Sequence, residues 1–168
     1  SVSDTRIRTA ASSDLPAIGR LGARLVAMHH RLDSRRFLPA TTGTERAYAS
    51  FLGANLNKEQ VVILAAERNN AVVGYSYAGV EGTDFMSLRG PAGIVYDINV
   101  DESVRRQGVG TLLLEATLSA LKRLGAPRVL LSTAVQNSAA RRLFARAGFR
   151  ETMIELTREL DDAAGTSR

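Results

Sequence analysis

The amino-acid sequence predicts a mixed α/β fold in which helices cover both faces of a mixed sheet. Three observations support this class: hydrophobic periods alternate between strand and helix spacing, two apolar runs flank Asn69-Asn70, and a glycine-containing turn joins a strand to an amphipathic helix. The predicted order is β-α-α-β-β-β-α-β-α-β. No repeat or linker divides residues 1–168, so we expect one domain, with a flexible polar tail at 161–168.

The first three elements are a short strand and two helices. Weak alternation predicts the strand at Thr5–Thr9, and the capping residues Ser12–Asp14 start a helix that continues to about His30. A loop over 32–43 leads to a second helix at about 44–57.

The middle of the chain predicts a hairpin, a third strand and the longest amphipathic helix. The runs 61–66 and 72–80 are rich in β-branched residues, and Asn69-Asn70 accepts the positive φ of a tight hairpin turn. A glycine-rich loop precedes the strand at 94–100, and apolar residues at three-four spacing place the helix at about 108–124.

The last elements are a buried strand, a helix and a final strand. Residues 129–132 form a short apolar run, and 138–147 place their apolar residues inward and their arginines outward. Gly148 ends this helix. Alternation over Phe149–Leu160 then predicts the last strand.

Composition excludes several classes of function. The chain has no cysteine and two histidines, so we expect no disulfide, no thiolate nucleophile and no metal site. No apolar run reaches the roughly 20 residues of a membrane span, and no secretory signal is visible, so we expect a cytoplasmic protein without a membrane partner. The net charge of +5 favours an anionic partner, or is only a solvated basic surface. Scattered arginine pairs without rows of aromatics do not indicate nucleic acid.

The most informative segment is the turn between the strand at 94–100 and the helix that follows. The first amides of a helix lack internal partners and carry the positive end of its dipole, so they can bind phosphate oxygens. Gly108 and Gly110 allow close backbone approach, and Arg105 and Arg106 add positive charge. Glycine in such a turn is also common for structural reasons alone. The spacing matches neither a dinucleotide fingerprint nor a P-loop.

Two motifs together resemble the GNAT acetyltransferase superfamily. They are Arg105-x-x-Gly108-x-Gly110 and Asn137-x-x-Ala140-x-x-Leu143-Phe144-x-x-x-Gly148-Phe149. The resemblance implies a GNAT fold, with a twisted mixed sheet of six to seven strands flanked by about four helices. It also implies acetyl transfer from acetyl-CoA to a primary amine of a small molecule or protein, by direct attack in a ternary complex without metal. The sequence leaves the oligomeric state open, a homodimer included.

The resemblance also implies the residues that bind coenzyme A. Its pyrophosphate would sit on the amides from Arg105 to Thr111, and its pantetheine arm would pair with the backbone of 98–100 and touch Asn137. Asn137 is equally suited to cap the helix that follows, and the two roles are compatible. The expected cofactor residues are Ile98, Asn99, Val100, Arg105, Arg106, Gln107, Gly108, Val109, Gly110, Thr111, Asn137 and Phe144.

The catalytic residues depart from the family pattern. The backbone N–H of Val100, or one close by, is expected to meet the thioester carbonyl. Many relatives carry a glutamate base where this chain has Ala92 or Tyr96, so Asp97 is the candidate base, with capping of nearby backbone as the alternative role. Phe144 stands where relatives place a proton-donating tyrosine, which leaves unaided departure of the thiolate or donation by Tyr96.

The acceptor residues are the least specified. His29, His30 and Asp33 lie where relatives build the acceptor pocket, and Tyr96 is a further candidate. Histidine at a helix end is also favourable electrostatically without any ligand. The departures at Phe144 and at the missing glutamate leave a second function open, a coenzyme A binding module with little or no transfer activity.

Overall fold

The fold is described from a computed structural model, which describes residues 4–161. Within residues 6–146, nine regular elements and two short 3-10 turns follow one another in the order that the sequence predicts, up to the end of the last helix. Their bounds are β1 Arg6–Thr9, α1 Leu15–Leu32, α2 Thr44–Asn55, β2 Val61–Arg68, β3 Ala71–Glu81, β4 Ala92–Val100, α3 Val109–Arg123, β5 Val129–Leu131 and α4 Ser138–Arg146.

The strands form one mixed sheet in the order β1-β2-β3-β4-β5. The first four strands pair antiparallel, and β5 pairs parallel to β4 after the crossover through α3. Asn69 and Asn70 have φ values of 51° and 61° in the β2–β3 turn, which confirms the predicted hairpin. The parallel step between β4 and β5 is where the sheet opens to form the site.

Helices pack against both faces of the sheet because β2 alternates between two apolar layers. Val62 and Leu64 lie in a cluster with Leu113 and Leu121 of α3. Ile63 lies in a second cluster with α1 and α2. Full burial of one such side chain contributes about 1.5–3 kcal/mol. The predicted three-layer arrangement is confirmed.

The predicted strand at Phe149–Leu160 is wrong, since these residues form no strand. Glu151 pairs with Arg141, Glu155 with Arg36 and Glu159 with Arg35. The apolar residues between them remain exposed, with Ile154 at 84% and Leu156 at 89%. Alternation within a segment does not supply a strand to pair with, so the described sheet has five strands instead of six to seven.

Of the predicted tail at 161–168, residues 162–168 lie outside the described residues. Between residues 4 and 161, none of the helices has both the length and the apolar character that crossing a bilayer requires.

Candidate functional site

The site begins where β4 and β5 separate. Their parallel pairing ends at Val95 and Leu131, while β4 continues to Val100. A cavity of about 300 Å³ opens there, which we call the strand cleft. Its walls come from α1, the loop after it, β4, the segment following β5, and α4.

A β-bulge places two neighbouring residues of β4 in this cleft. Asp97 lies opposite Tyr77 and Val95 lies opposite Ala78, so Tyr96 is the extra residue. Successive side chains of a regular strand point to opposite faces, but a bulge re-aims them. Tyr96 and Asp97 both line the strand cleft, as do Val95 and Ile98 on either side of them.

Asp97 is held by two phenol groups from other elements. Tyr75 of β3 donates a hydrogen bond to Asp97 Oδ2 at 2.7 Å, and Tyr48 of α2 donates to the same oxygen. The Tyr75 hydroxyl also contacts the Tyr48 hydroxyl at 3.1 Å. Neither phenol engages Oδ1.

Burial decides the protonation behaviour of this group. Desolvation raises the pKa of Asp97 above its usual value, against the hydrogen bonds from Tyr48 and Tyr75 and the nearby His29, which lower it. Burial beside this carboxylate also raises the pKa of both tyrosines. The phenols therefore keep their protons at neutral pH and act as donors to a carboxylate with increased basicity.

Helix α1 makes room for Tyr48 with a glycine. A Cβ on Gly22 would lie 2.6 Å from Tyr48 Cδ1, closer than two carbon atoms can approach. The absence of a side chain at Gly22 therefore allows the ring of Tyr48 to lie against α1 and direct its hydroxyl to Asp97.

The turn before α3 has the geometry expected of an anion site. Gly108 is the N-cap of α3 at φ 81°, and Arg106 has a φ of 62°. A non-glycine residue in this region carries a conformational cost of about 1–2 kcal/mol. The helix's first hydrogen bond after the cap runs from Leu112 N–H to Gly108 O, so the amides of 109–111 have no partner within the helix. Residues 105–108 and Thr111 are exposed, whereas Val109 is buried, so the turn itself lies at the surface with the positive charge of its arginines.

Side chains hold this turn in place. Arg105 Nε donates to Val100 O at 3.2 Å, and Gln107 Oε1 accepts from Arg68 at 2.7 Å. Val104 and Val109 are buried on either side of the turn. The turn is thereby held in place relative to the end of β4.

The free edge of β4 supplies further donors. Asp101 N–H donates to Val73 O at 2.7 Å, so alternation directs the amides of Ile98 and Val100 away from β3. The Val100 amide donates to Asn99 Oδ1 at 3.0 Å, and Asn99 Nδ2 donates to Leu21 O. Of the three residues predicted to meet the cofactor arm, Ile98 lines the strand cleft, whereas Asn99 is buried against α1.

Two predicted residues of α4 also face the strand cleft. Asn137 lines it and caps the helix, with Oδ1 accepting from Ala140 N–H at 3.2 Å. The alternative role predicted for Asn137 is therefore present. Phe144 lines the cleft as well and is buried edge-on against Phe149.

The predicted acceptor residues divide into two groups. His29 and Tyr96 line the strand cleft with Asp97. His30 instead contacts Phe37 O through Nδ1 at 2.8 Å, and Asp33 Oδ1 accepts from the amides of Arg35 and Arg36 at the end of α1. These two residues are occupied in shaping the loop after α1.

Sequence reasoning missed four aromatic residues that lie around Asp97. Tyr48 and Phe51 are one turn apart on α2, and Tyr75 and Tyr77 are two apart on β3. Such spacing places each pair on one side of its element and was a usable signal. Within residues 4–161, no cluster of three or more acidic or histidine side chains could hold a metal ion.

Comparison with known proteins identifies the class of this chain. The sequence profile of the Acetyltransferase (GNAT) family matches residues 26–149, so the chain belongs to that family. It is 34% identical over 110 residues to an N-alpha-acetyltransferase of Sulfurisphaera tokodaii. That match covers 62% of this chain and 65% of the relative, so the chain spans just under two thirds of the relative's length.

Solved structures share the fold. A mutant protein from Bacillus halodurans superposes with a TM-score of 0.77 at 22% identity, covering 92% of this chain and 99% of that chain. The aminoglycoside N-acetyltransferase AAC(6')-Iy in complex with CoA has a TM-score of 0.71 at 18% identity, covering 94% and 95%. The predicted family and the GNAT fold are therefore confirmed.

Proposed function

We propose that this protein transfers the acetyl group of acetyl-CoA to a primary amine by direct attack in a ternary complex. The observation that carries the proposal is the position of Asp97. Its carboxylate, supported by two phenols, lines the cleft at the separating strands, and the anion-binding turn follows the same strand. Acetyl transfer from a phosphorylated thioester to an amine requires a base for the amine and a site for the phosphates near each other, and Asp97 and this turn are suited to these two roles.

The turn and the strand cleft fit the two ends of coenzyme A. The amides from Arg105 to Thr111 would bind its pyrophosphate, helped by the arginines, because several donors and the helix dipole act together there. The free edge of β4 from Ile98 and the cap residue Asn137 would meet the pantetheine arm. The Val100 amide would exchange its bond to Asn99 Oδ1 for one to the thioester carbonyl oxygen.

Asp97 serves as the general base in this proposal. It takes one proton from the ammonium group, directly or through water, and the freed nitrogen lone pair forms the new C–N bond as the C–S bond breaks. The nitrogen then loses its second proton to water as the neutral amide forms, and the departing thiolate takes up a proton. The raised pKa of Asp97 suits this task because a more basic carboxylate holds the proton better.

Tyr96 is the candidate proton donor to the departing thiolate. Phe144 has no hydroxyl, whereas Tyr96 lines the same cleft. Burial and the neighbouring Glu81 raise the pKa of Tyr96 to about 12, so it keeps its proton at neutral pH but is a weaker acid than the thiol that forms. Water is the alternative donor, because a thiolate with a pKa near that of cysteine, about 8.5, is a tolerable leaving group.

The charge variant Gly108→Glu tests the cofactor half of the proposal. A carboxylate at the first turn of α3 opposes phosphate, so acetyl-CoA binding measured by calorimetry should weaken at least about tenfold, or 1.4 kcal/mol. Gly125→Glu is a matched control, because Gly125 also has a positive φ, of 93°, and lies at the other end of α3. Equal affinity in Gly108→Glu and the unmodified chain would contradict the proposed placement.

Phe144 also favours a second function, a coenzyme A binding module with little transfer activity. A thiol-release assay with a panel of primary amines separates the two functions. Acetyl-CoA binding without release of thiol, and without acetylated amine by mass spectrometry, would favour the binding module.

A further inference from the structure

A second cavity lies beside the strand cleft and is lined mainly by aromatic rings. We call it the aromatic pocket, and its volume is about 430 Å³. Its lining consists of Tyr48, Phe51, Tyr77, Tyr96 and Asp97. The size falls within the roughly 300–1,000 Å³ of pockets that hold small molecules.

The two cavities meet at Asp97. Tyr96 and Asp97 line both, because the bulge of β4 places them at the boundary. A molecule in the aromatic pocket can therefore present one nitrogen at Asp97, at the border with the strand cleft, where the thioester would lie. Direct transfer requires this nitrogen and the thioester carbon to approach within about 3.5 Å at that border.

The aromatic pocket exposes rings that a purely structural cluster would bury. Phe51 is 54% exposed and Tyr96 is 44% exposed, although both pack against Tyr77, at ring distances of 5.8 and 4.7 Å. Exposed aromatic rings grouped around a carboxylate indicate a binding site, whereas a single exposed ring is common on protein surfaces.

The charge of the pocket limits what it can hold. Asp97 is the one ionisable carboxylate among its five lining residues, and none of the five carries a positive charge. Glu81 lies near Tyr96 but is paired with Arg89 at 3.1 Å. One carboxylate among aromatic faces matches one ammonium group, which the ring quadrupoles also attract. An acceptor with several ammonium groups would leave charges without partners.

We propose that the aromatic pocket is the acceptor subsite, and that the acceptor carries a single primary ammonium joined to an aromatic or extended apolar group. This inference rests on the proposed function, because the pocket's ligand is an acetyl acceptor only if the transfer reaction takes place. Phe51 and Tyr77 determine specificity by contact with the apolar group, and Asp97 contacts the nitrogen.

Amine selectivity is the first test. Phenethylamine should give a kcat/KM at least about tenfold above ethylamine, because burial of the added ring contributes more than about 1.4 kcal/mol. The kcat/KM for phenethylamine should also exceed that for the polycationic amine neamine. Equal values for phenethylamine and ethylamine, or preference for neamine, would overturn the inference.

Binding of benzyltrimethylammonium tests the pocket without relying on transfer, since this cation cannot be acetylated. Phe51→Leu and Tyr77→Leu should each weaken its binding by at least about threefold, the effect of removing one cation–π contact. Phe85→Leu is the matched control, because Phe85 is exposed and lines neither cavity.

The outcomes separate the two proposals. Binding that depends on Phe51 and Tyr77 in a protein that acetylates no amine would support the pocket and remove the proposed reaction. Transfer to amines with no detectable binding of benzyltrimethylammonium would support the reaction and overturn the aromatic subsite. An equal loss in Phe85→Leu would also overturn it.

Discussion

Asp97 and its two phenol partners are the residues on which the proposed chemistry depends. A carboxylate at this depth is costly to ionise unless donors compensate for the lost water, and Tyr48 and Tyr75 supply such donors. Their bonds lower the pKa of Asp97 while burial raises it, and burial is the larger effect. The net effect is a raised pKa, so the Asp97 carboxylate is more basic than an exposed one.

Asp97→Asn should reduce kcat by about 100-fold or more while leaving acetyl-CoA affinity within about twofold, because an amide cannot accept the proton. The acid limb of the kcat/KM profile should disappear with it. Asp84→Asn, in an exposed loop, is the control. An unchanged pH profile in Asp97→Asn would remove this residue from the role of base.

Tyr75→Phe should move the acid limb of the kcat/KM profile to higher pH. The Tyr75 hydroxyl stabilises the ionised form and lowers the pKa of Asp97, so its removal should raise that pKa further. The ionised base is then lost at a higher pH, and the acid limb of kcat/KM shifts upward. Tyr77→Phe, which removes a hydroxyl that makes no bond to Asp97, should leave the limb in place. A downward shift in Tyr75→Phe would contradict the network.

At the scale of elements, the site depends on how closely α1 and α2 approach each other. Gly19 and Gly22 both lie against α2, and a Cβ at Gly19 would lie 2.6 Å from Glu45 O. The two glycines therefore form a close contact between the helices. This contact places Tyr48 and Phe51 beside the bulge of β4, so packing between two helices determines the geometry around Asp97.

Gly22→Ala should impair chemistry more than cofactor binding. The added methyl group displaces the ring of Tyr48, and small displacements in an active site can cost up to about 100-fold in rate. We expect kcat to fall at least about tenfold with acetyl-CoA affinity unchanged. Gly43→Ala, at the start of α2 where the nearest atom is 4.0 Å away, is the control. Equal rates in both variants would show that Tyr48 is not positioned by this contact.

In the molecule as a whole, the features that the sequence predicted correctly are those determined by residues close together in the chain. The Asn69-Asn70 turn, the α3 amphipathic pattern and the Gly108 turn all depend on neighbouring residues, and the structure contains each of them. The partners of Asp97 were not predicted because Tyr48 and Tyr75 lie 49 and 22 residues away in the sequence. The bulge at Tyr96 depends on the register between β3 and β4, which the hydrophobic pattern leaves open.

The error at Phe149–Leu160 has a similar origin. Alternation predicts an extended segment with two different sides. The glutamates of one predicted side do pair with arginines of the loop after α1 and of α4. Whether such a segment joins a sheet depends on an available edge, and the segment's own residues carry no information about that edge.

The proposed function requires the turn before α3 and the strand cleft to hold the two ends of one coenzyme A molecule. A crystal structure of the complex with coenzyme A tests it most directly. We expect pyrophosphate oxygens within about 3 Å of the amides of 105–111, and the thiol in the strand cleft beside Asp97. Coenzyme A bound at any other surface, with this turn and cleft free of it, would contradict the account.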